Sequence, residues 1–136
     1  MLFSKIQFQS ACEGKIIGVF TVEENMCNNM DALHGGYICS IMDAVTTYAQ
    51  MSNKNGRLSW TTDVQAKFLK SARLGDRIVV ETTPLTNGSH SVMEATLRNE
   101  ATGSLIAKGT VTLVAGAEKF QHKAKDVIKF DVYEED

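Results

Sequence analysis

The chain has 136 residues, of which 43% are hydrophobic, so it can bury one core but has no room for a second domain of ordinary size. Its formal net charge is −2 and its Lys and Arg residues form no cluster, so nothing favours nucleic-acid binding. No apolar run reaches the roughly 18 residues of a membrane-spanning helix, and residues 1–8 lack the apolar region of a secretory signal.

The first predicted elements are strands. Residues 15–22 read Lys-Ile-Ile-Gly-Val-Phe-Thr-Val, are rich in β-branched side chains and follow a Glu-Gly turn, which is typical of a strand. Ile6 and Phe8 can begin another strand before that turn. Residues 23–32 then form a polar loop that contains Asn28.

A helix is predicted from about His34 to Met51. At about 100° per residue from Gly35, one side is apolar and should pack on a sheet. That side holds Ile38, Ile41, Met42, Val45, Tyr48 and Ala49. Asp43 falls nearly opposite, on a polar face that it shares with Ser40, Thr46, Thr47 and Gln50. Residues 53–56, Asn-Lys-Asn-Gly, end the helix with turn chemistry.

The rest of the chain to residue 114 has the composition of strands. The predicted strands cover residues 58–69, 77–86, 89–99 and 105–114, with hairpin turns at Asn87-Gly88 and Thr102-Gly103. One long helix among five or six antiparallel strands implies an α+β fold in which the sheet wraps the helix. Residues 117–136 are charged and have few apolar residues in register, so we predict one domain over 1–116 and a mobile or partly strand-forming C-terminal tail over 117–136.

The start of the helix is the first candidate site. Gly35 and Gly36 carry no side chain that would block a ligand, and the first-turn N–H groups have no partners within the helix. Such donors, with the positive end of the helix dipole, stabilise the oxyanion that forms when a carbonyl becomes tetrahedral. The suggested reaction is acyl transfer to water, and Asp43 is the candidate catalytic residue.

The three cysteines and three histidines show no spacing typical of metal ligands, so we expect no metal site. Free thiols fit a reducing compartment. Cys39 lies within the predicted helix, and we expect a structural rather than a nucleophilic thiol there.

The chain resembles the hotdog-fold acyl-CoA thioesterases of the PaaI-like group. The likeness extends from about Lys5 to Val114, and Asn28, His34-Gly35-Gly36 and Asp43 stand at the offsets of the family motif. The matching framework comprises residues 14–17, 22–24, Leu33, Asp63, 74–76, 101–103 and 105–107. The resemblance implies a hotdog fold and hydrolysis of fatty or aryl acyl-CoA to free acid and CoA. It implies a role in lipid metabolism. It implies no cofactor, because CoA is part of the substrate.

The resemblance also implies roles for single residues, each of which has a simpler alternative. Asp43 would act as general base or as nucleophile, although an acid on a polar helix face is ordinarily solvated. Asn28 would donate its amide to the thioester carbonyl beside the Gly35 N–H, although a loop Asn is most often a turn or cap residue. Thr61 falls where relatives carry a Ser thought to position water, although Thr is also common in strands.

The remaining predicted site residues would either order the start of the helix or bind the substrate. His34 would order the helix start, with Gly36 beside it, rather than act as a base. Lys70 and Arg73 flank a corner of the chain and can meet CoA phosphates, or they can simply be solvated charges.

Helix geometry gives a reason to expect a dimer. Gly35 and Asp43 are eight residues apart, which is about 12 Å along one helix, whereas a base must lie within about 3 Å of its proton or one water away. A second, antiparallel chain could supply Asp43, giving a homodimer with two equivalent sites. We also expect such dimers to assemble into a homotetramer. We expect a cytoplasmic or mitochondrial location. The alternative functions are a hydratase or dehydratase of enoyl or 3-hydroxyacyl thioesters, and a non-catalytic acyl-CoA-binding module.

Overall fold

Six antiparallel strands form one sheet around a single long helix in the computed structural model, which describes residues 5–52, 59–86, 88 and 90–116. The strands are β1 (Gln7–Cys12), β2 (Lys15–Thr21), β3 (Ser59–Phe68), β4 (Arg77–Pro84), β5 (His90–Asn99) and β6 (Leu105–Ala115). The helix α1 spans Gly35–Met51, and a 3₁₀ turn spans Glu24–Met26. The predicted α+β architecture is confirmed, with boundaries within two residues of the predicted ones. The predicted turn at 53–56, residue Asn87 and the tail over 117–136 lie outside the described residues.

The sheet order is β1-β2-β4-β5-β6-β3, so β3 is an edge strand whose partner is β6. The helix follows β2, and β3 follows the helix at the opposite edge of the sheet. The chain therefore crosses the concave face of the sheet within α1. No helix in the described part of the chain is long and apolar enough to cross a membrane.

The apolar side of α1 packs into the core as its periodicity predicts. Ile38, Ile41, Met42, Val45 and Ala49 are buried, against residues such as Ile78, Met93 and Leu113 from the sheet. The predicted polar face is wrong at two positions, because Thr46 and Gln50 are also buried. The sheet curves around more than one side of the helix, and the Thr46 hydroxyl satisfies its bonding within the helix by donating to the Met42 carbonyl at 2.7 Å.

The β1–β2 hairpin turns at Glu13 and Gly14, with φ values of 51° and 82°. Two positive φ values in a two-residue loop match the twist of the strands. The turn is tied to the rest of the molecule by buried hydroxyls: the Gly14 N–H donates to Ser52 Oγ at 3.1 Å, and Thr82 Oγ1 donates to the Gly14 carbonyl at 3.1 Å. The C-terminal end of α1 is thereby fixed to the hairpin.

The edge strand β3 carries a β-bulge that changes which side chains face the helix. Its register with β6 shifts between Thr61 and Asp63, so Thr62 is the extra residue. Because directly paired residues point to the same side of a sheet, Val64, opposite buried Val111, faces the helix. Thr61, opposite buried Leu113, shares that face although it is three residues away. Without the bulge, Thr61 would point to the outer face.

Candidate active site

The helix start presents one backbone N–H group that has no acceptor in the described part of the chain. His34 is the N-cap, and its Nδ1 accepts the Gly36 N–H at 2.8 Å. The N–H groups of Tyr37 and Ile38 both donate to the His34 carbonyl at 3.0 Å. Among the described residues the Gly35 N–H has no acceptor, whereas the Gly36 N–H is occupied. The predicted ordering role of His34 therefore has a specific basis, which is capping of the first turn.

The loop before the helix orients Asn28 by its side-chain oxygen. Asn28 Oδ1 accepts from the Met30 N–H at 2.8 Å and from the Ala32 N–H at 3.3 Å, and the Asn28 N–H donates to the Ala32 carbonyl at 2.8 Å. These bonds match the alternative reading of Asn28 as a turn residue. They also fix the plane of the amide and leave its NH₂ group, which has no acceptor in the described part of the chain, as a donor.

A turn after β3 holds this loop against the helix start. The Leu33 N–H donates to the Ala72 carbonyl at 2.8 Å, and the Leu74 N–H donates to the Asp31 carbonyl at 3.1 Å. The turn itself needs Gly75, whose φ is +92°. The turn residues can be recognised in the sequence. Their hydrogen bonds to the Asn28 loop cannot, because these bonds join segments far apart in the chain.

The structure brings Asp43 and Thr61 together. The Thr61 hydroxyl donates to Asp43 Oδ1, and this contact exists because the bulge at Thr62 turns Thr61 toward the helix. Asp43 is half-buried and Thr61 is exposed. Asp43 Oδ2 has no donor among the described residues, so it is the oxygen that can take a proton from water or attack a carbonyl.

Two hydroxyls on the helix bind the backbone beside Asp43. Thr47 Oγ1 donates to the Asp43 carbonyl at 2.8 Å, and Thr46 Oγ1 donates to it at 3.2 Å. Hydroxyls that bond back to the preceding turn of a helix often bend it. The Asp43 carbonyl therefore accepts from two side-chain hydroxyls, which the sequence pattern does not predict.

Lys70 and Arg73 are both exposed and carry no carboxylate partner among the described residues. Arg73 reaches back over the loop, where its guanidinium donates to the Met30 carbonyl at 3.4 Å, while Lys70 Nζ donates to Ser104 Oγ at 3.5 Å. Arg73 therefore lies next to the Asn28 loop. The placement keeps both predicted roles open, as phosphate contacts or as solvated charges.

The cysteines near the site are not set up as nucleophiles. Burial raises the pKa of the Cys27 thiol, and the charges of Asp31 and Glu24 raise it further, so it stays protonated and donates to the Glu23 carbonyl at 3.4 Å. Cys39 is a free, half-buried thiol within the helix.

Within one chain the predicted residues form two groups rather than one. The helix-start group comprises Asn28, His34, Gly35, Gly36 and Arg73, and the mid-helix group comprises Asp43 and Thr61. Lys70 belongs to neither group, and its Nζ donates to Ser104 Oγ. Asp43 is eight residues along α1 from Gly35, a separation of about 12 Å in a regular helix. Neither group alone has both a carbonyl-binding donor and a base.

A curved antiparallel sheet wrapped around one long helix is the architecture of a hotdog-fold domain. The family model described as Thioesterase superfamily matches residues 30–106. The chain belongs to the thioesterase superfamily, and the resemblance found in its motifs is confirmed.

Individual relatives agree with this assignment. Human acyl-coenzyme A thioesterase 13 is 33% identical over 112 residues, which are 82% of this chain and 80% of that protein. The crystal structure of zebrafish thioesterase superfamily member 2 matches with a TM-score of 0.81 at 30% identity, over 85% of this chain and 84% of that chain. The crystal structure of mouse thioesterase superfamily member 2 matches with a TM-score of 0.79 at 29% identity, over 85% of both chains.

Proposed function

We propose that this protein is a hydrolase that cleaves fatty or aryl acyl-CoA thioesters to the free acid and CoA. The observation that carries the proposal is the hydrogen bond from the Thr61 hydroxyl to Asp43 Oδ1, in a chain of the thioesterase superfamily. It leaves one carboxylate oxygen of Asp43 available beside a hydroxyl that can also bind water. No cofactor is proposed, because the CoA moiety belongs to the substrate.

In the proposed reaction the thioester carbonyl accepts hydrogen bonds from the Gly35 N–H and the Asn28 NH₂ group. Asp43 takes a proton from a water held by Thr61, and the oxygen of that water bonds to the carbonyl carbon. The carbon–sulfur bond then breaks, the acid leaves with the added oxygen, and the CoA sulfur takes up a proton. Alternatively, Asp43 attacks the carbonyl carbon and the carbon–sulfur bond breaks, so that CoA leaves as a thiolate that takes up a proton. Water then hydrolyses the mixed anhydride to the free acid and the Asp43 carboxylate. Donors fixed before the reaction stabilise the oxyanion in both routes.

Because the two groups of residues lie apart within one chain, a complete site requires a second copy of the chain. We propose a homodimer in which Asp43 and Thr61 of one chain face the Gly35 donor of the other, giving two equivalent sites. The position of β3 at the edge of the sheet supports this arrangement, because the strand exposes apolar side chains, among them Val64 and Phe68, and β6 is its one neighbour among the described strands. Trp60 is exposed at the outer face of the same strand, where a further contact would assemble dimers into the proposed homotetramer.

The rest of the substrate would lie on the side of the Asn28 loop. Arg73 and Lys70 offer positive charges to the CoA phosphates, consistent with their exposure and their lack of carboxylate partners in the described part of the chain. Three free thiols and an acyl-CoA substrate support a cytoplasmic or mitochondrial location.

The test is release of free thiol from a panel of short, medium, long and aryl acyl-CoAs by the full-length protein. Turnover of any of them supports the proposal. Absence of turnover on all of them, with acyl-CoA binding retained, would favour an acyl-CoA-binding module. Hydration of enoyl-CoA, measured on the same preparation, would favour a hydratase.

A further inference from the structure

The aromatic ring of Phe68 lies against Gly35, the residue whose N–H is the unused donor. A Cβ atom placed on Gly35 would be 3.2 Å from Phe68 Cζ and 3.4 and 3.5 Å from the two ε carbons. The end of the ring therefore occupies the space beside the glycine backbone. A side chain at position 35 would press on the ring, which gives a second reason for glycine there besides access of the substrate.

The position of the ring is set by the backbone rather than by burial. Phe68 is the last residue of β3 and is paired with buried Ala107, so its side chain points to the helix side. The next two N–H groups, of Leu69 and Lys70, both donate to the Ile106 carbonyl, at 2.8 and 3.2 Å. The ring itself remains 55% exposed. One part of the ring therefore lies over Gly35, and the rest is open on the side where the dimer contact proposed above would cover it.

We propose that Phe68 is a positioning residue that keeps water away from the Gly35 N–H and so leaves this donor free for a thioester carbonyl. This inference rests on the proposed function for its catalytic consequence. A donor in an apolar, water-poor setting forms a stronger hydrogen bond to an oxyanion than one that is hydrated, because water competes for it and screens the charge. Phe68 acts through the Gly35 N–H and exchanges no proton or electron itself.

The first test measures the donor directly and does not depend on activity. Amide hydrogen exchange by ¹⁵N NMR should show the Gly35 N–H exchanging roughly 3- to 10-fold faster in Phe68→Ala than in the wild type, since an amide without an acceptor exchanges according to its access to water. The Tyr37 N–H, which is bonded to the His34 carbonyl, is the internal reference and should not change. An unchanged Gly35 rate would overturn the proposal, as would equal acceleration at Tyr37, which would mean that the helix start had merely loosened.

The second test measures turnover. Phe68→Ala should lower kcat for acyl-CoA hydrolysis by about 10-fold with a smaller change in KM, which is less than the ~10² to 10³ expected for losing an oxyanion donor outright. Phe68→Leu, which retains an apolar wall, should recover most of the loss. Leu85→Ala is the matched control, because Leu85 is 51% exposed and lies beyond β4, away from the helix start. Sedimentation confirms that all variants are compared in the same state of assembly.

The outcomes separate this proposal from the proposed function. A wild type that hydrolyses acyl-CoA, with Phe68→Ala as active as Leu85→Ala, would remove the role of Phe68 and leave the thioesterase assignment intact. A wild type with no turnover would remove the proposed function, and the exchange experiment would then decide by itself whether Phe68 shields the Gly35 N–H.

Discussion

Replacing Asp43 by Asn removes the basic oxygen while keeping the shape of the side chain. The Thr61 hydroxyl can still donate to the amide oxygen, and the NH₂ group takes the place of Oδ2, the oxygen that is free to accept a proton. Losing a general base lowers turnover by roughly 10² to 10⁴, which is about 2.7 to 5.4 kcal/mol of transition-state stabilisation at about 1.36 kcal/mol per factor of ten. Because Asp43 is half-buried and keeps its hydrogen bond, the free energy of unfolding should change by less than about 1 kcal/mol.

The assay combines thiol release with calorimetry of a non-hydrolysable acyl-CoA analogue. The Asn28 and Gly35 donors are untouched, so analogue binding should stay near that of the wild type while kcat falls. Glu94→Gln is the matched control, since Glu94 lies on the outer face of the sheet, where it pairs with Lys108 at 3.6 Å. A folded Asp43→Asn protein with near-normal kcat would refute both proposed routes, because each needs a carboxylate at this position.

Three further predictions follow from the site and the fold. Mixing Asp43→Ala chains with Asn28→Ala chains should restore part of the activity, since one site of each heterodimer is intact; no recovery after chain exchange verified by mass spectrometry would argue against shared sites. Thr61→Val should lower kcat by about 10-fold or more and Thr61→Ser should retain most of it, because only the hydroxyl binds Asp43 and water; equal kcat values for the two variants would contradict this. Gly109→Ala should lower the free energy of unfolding by at least about 1 to 3 kcal/mol in urea titrations, because a Cβ there would lie 2.2 Å from the Gln65 carbonyl oxygen; a midpoint equal to that of the wild type would contradict the close approach of β3 and β6.

The sequence predicts the helix and strands well because their periodicities are local. The error at Thr46 and Gln50 arises because helical period identifies the most apolar side but not how far the sheet curves around the helix. A small side chain whose hydroxyl donates to a carbonyl of its own helix can be buried or exposed. The residue type of Thr46 therefore does not predict its burial.

The candidate site could be proposed from residue types, but the sequence does not show which of its residues lie together. Asp43 and Gly35 stand out because an acid and two glycines in an amphipathic helix need an explanation. The contact of Thr61 with Asp43 depends on a bulge at Thr62, and alternation along the strand would have pointed Thr61 outward. The contact of Phe68 with Gly35 could not be predicted, because Phe68 is an ordinary strand residue in sequence and only the pairing of β3 with β6 places it on Gly35.

The position of β3 in the sheet determines when this site can form during folding. β3 precedes β4, β5 and β6 in the chain, but among the described strands it pairs only with the last, β6, so contacts such as Thr61 with Leu113 join distant segments. Pairings of this kind are slow to form, because the entropy of closing the loop is lost before the contact is gained. All the predicted site residues, from Asn28 to Arg73, are synthesised well before β6. A nascent chain therefore holds the complete set of these residues before they can be brought together. After refolding, the rate at which activity recovers should follow the pairing of β3 with β6 rather than the formation of the helix.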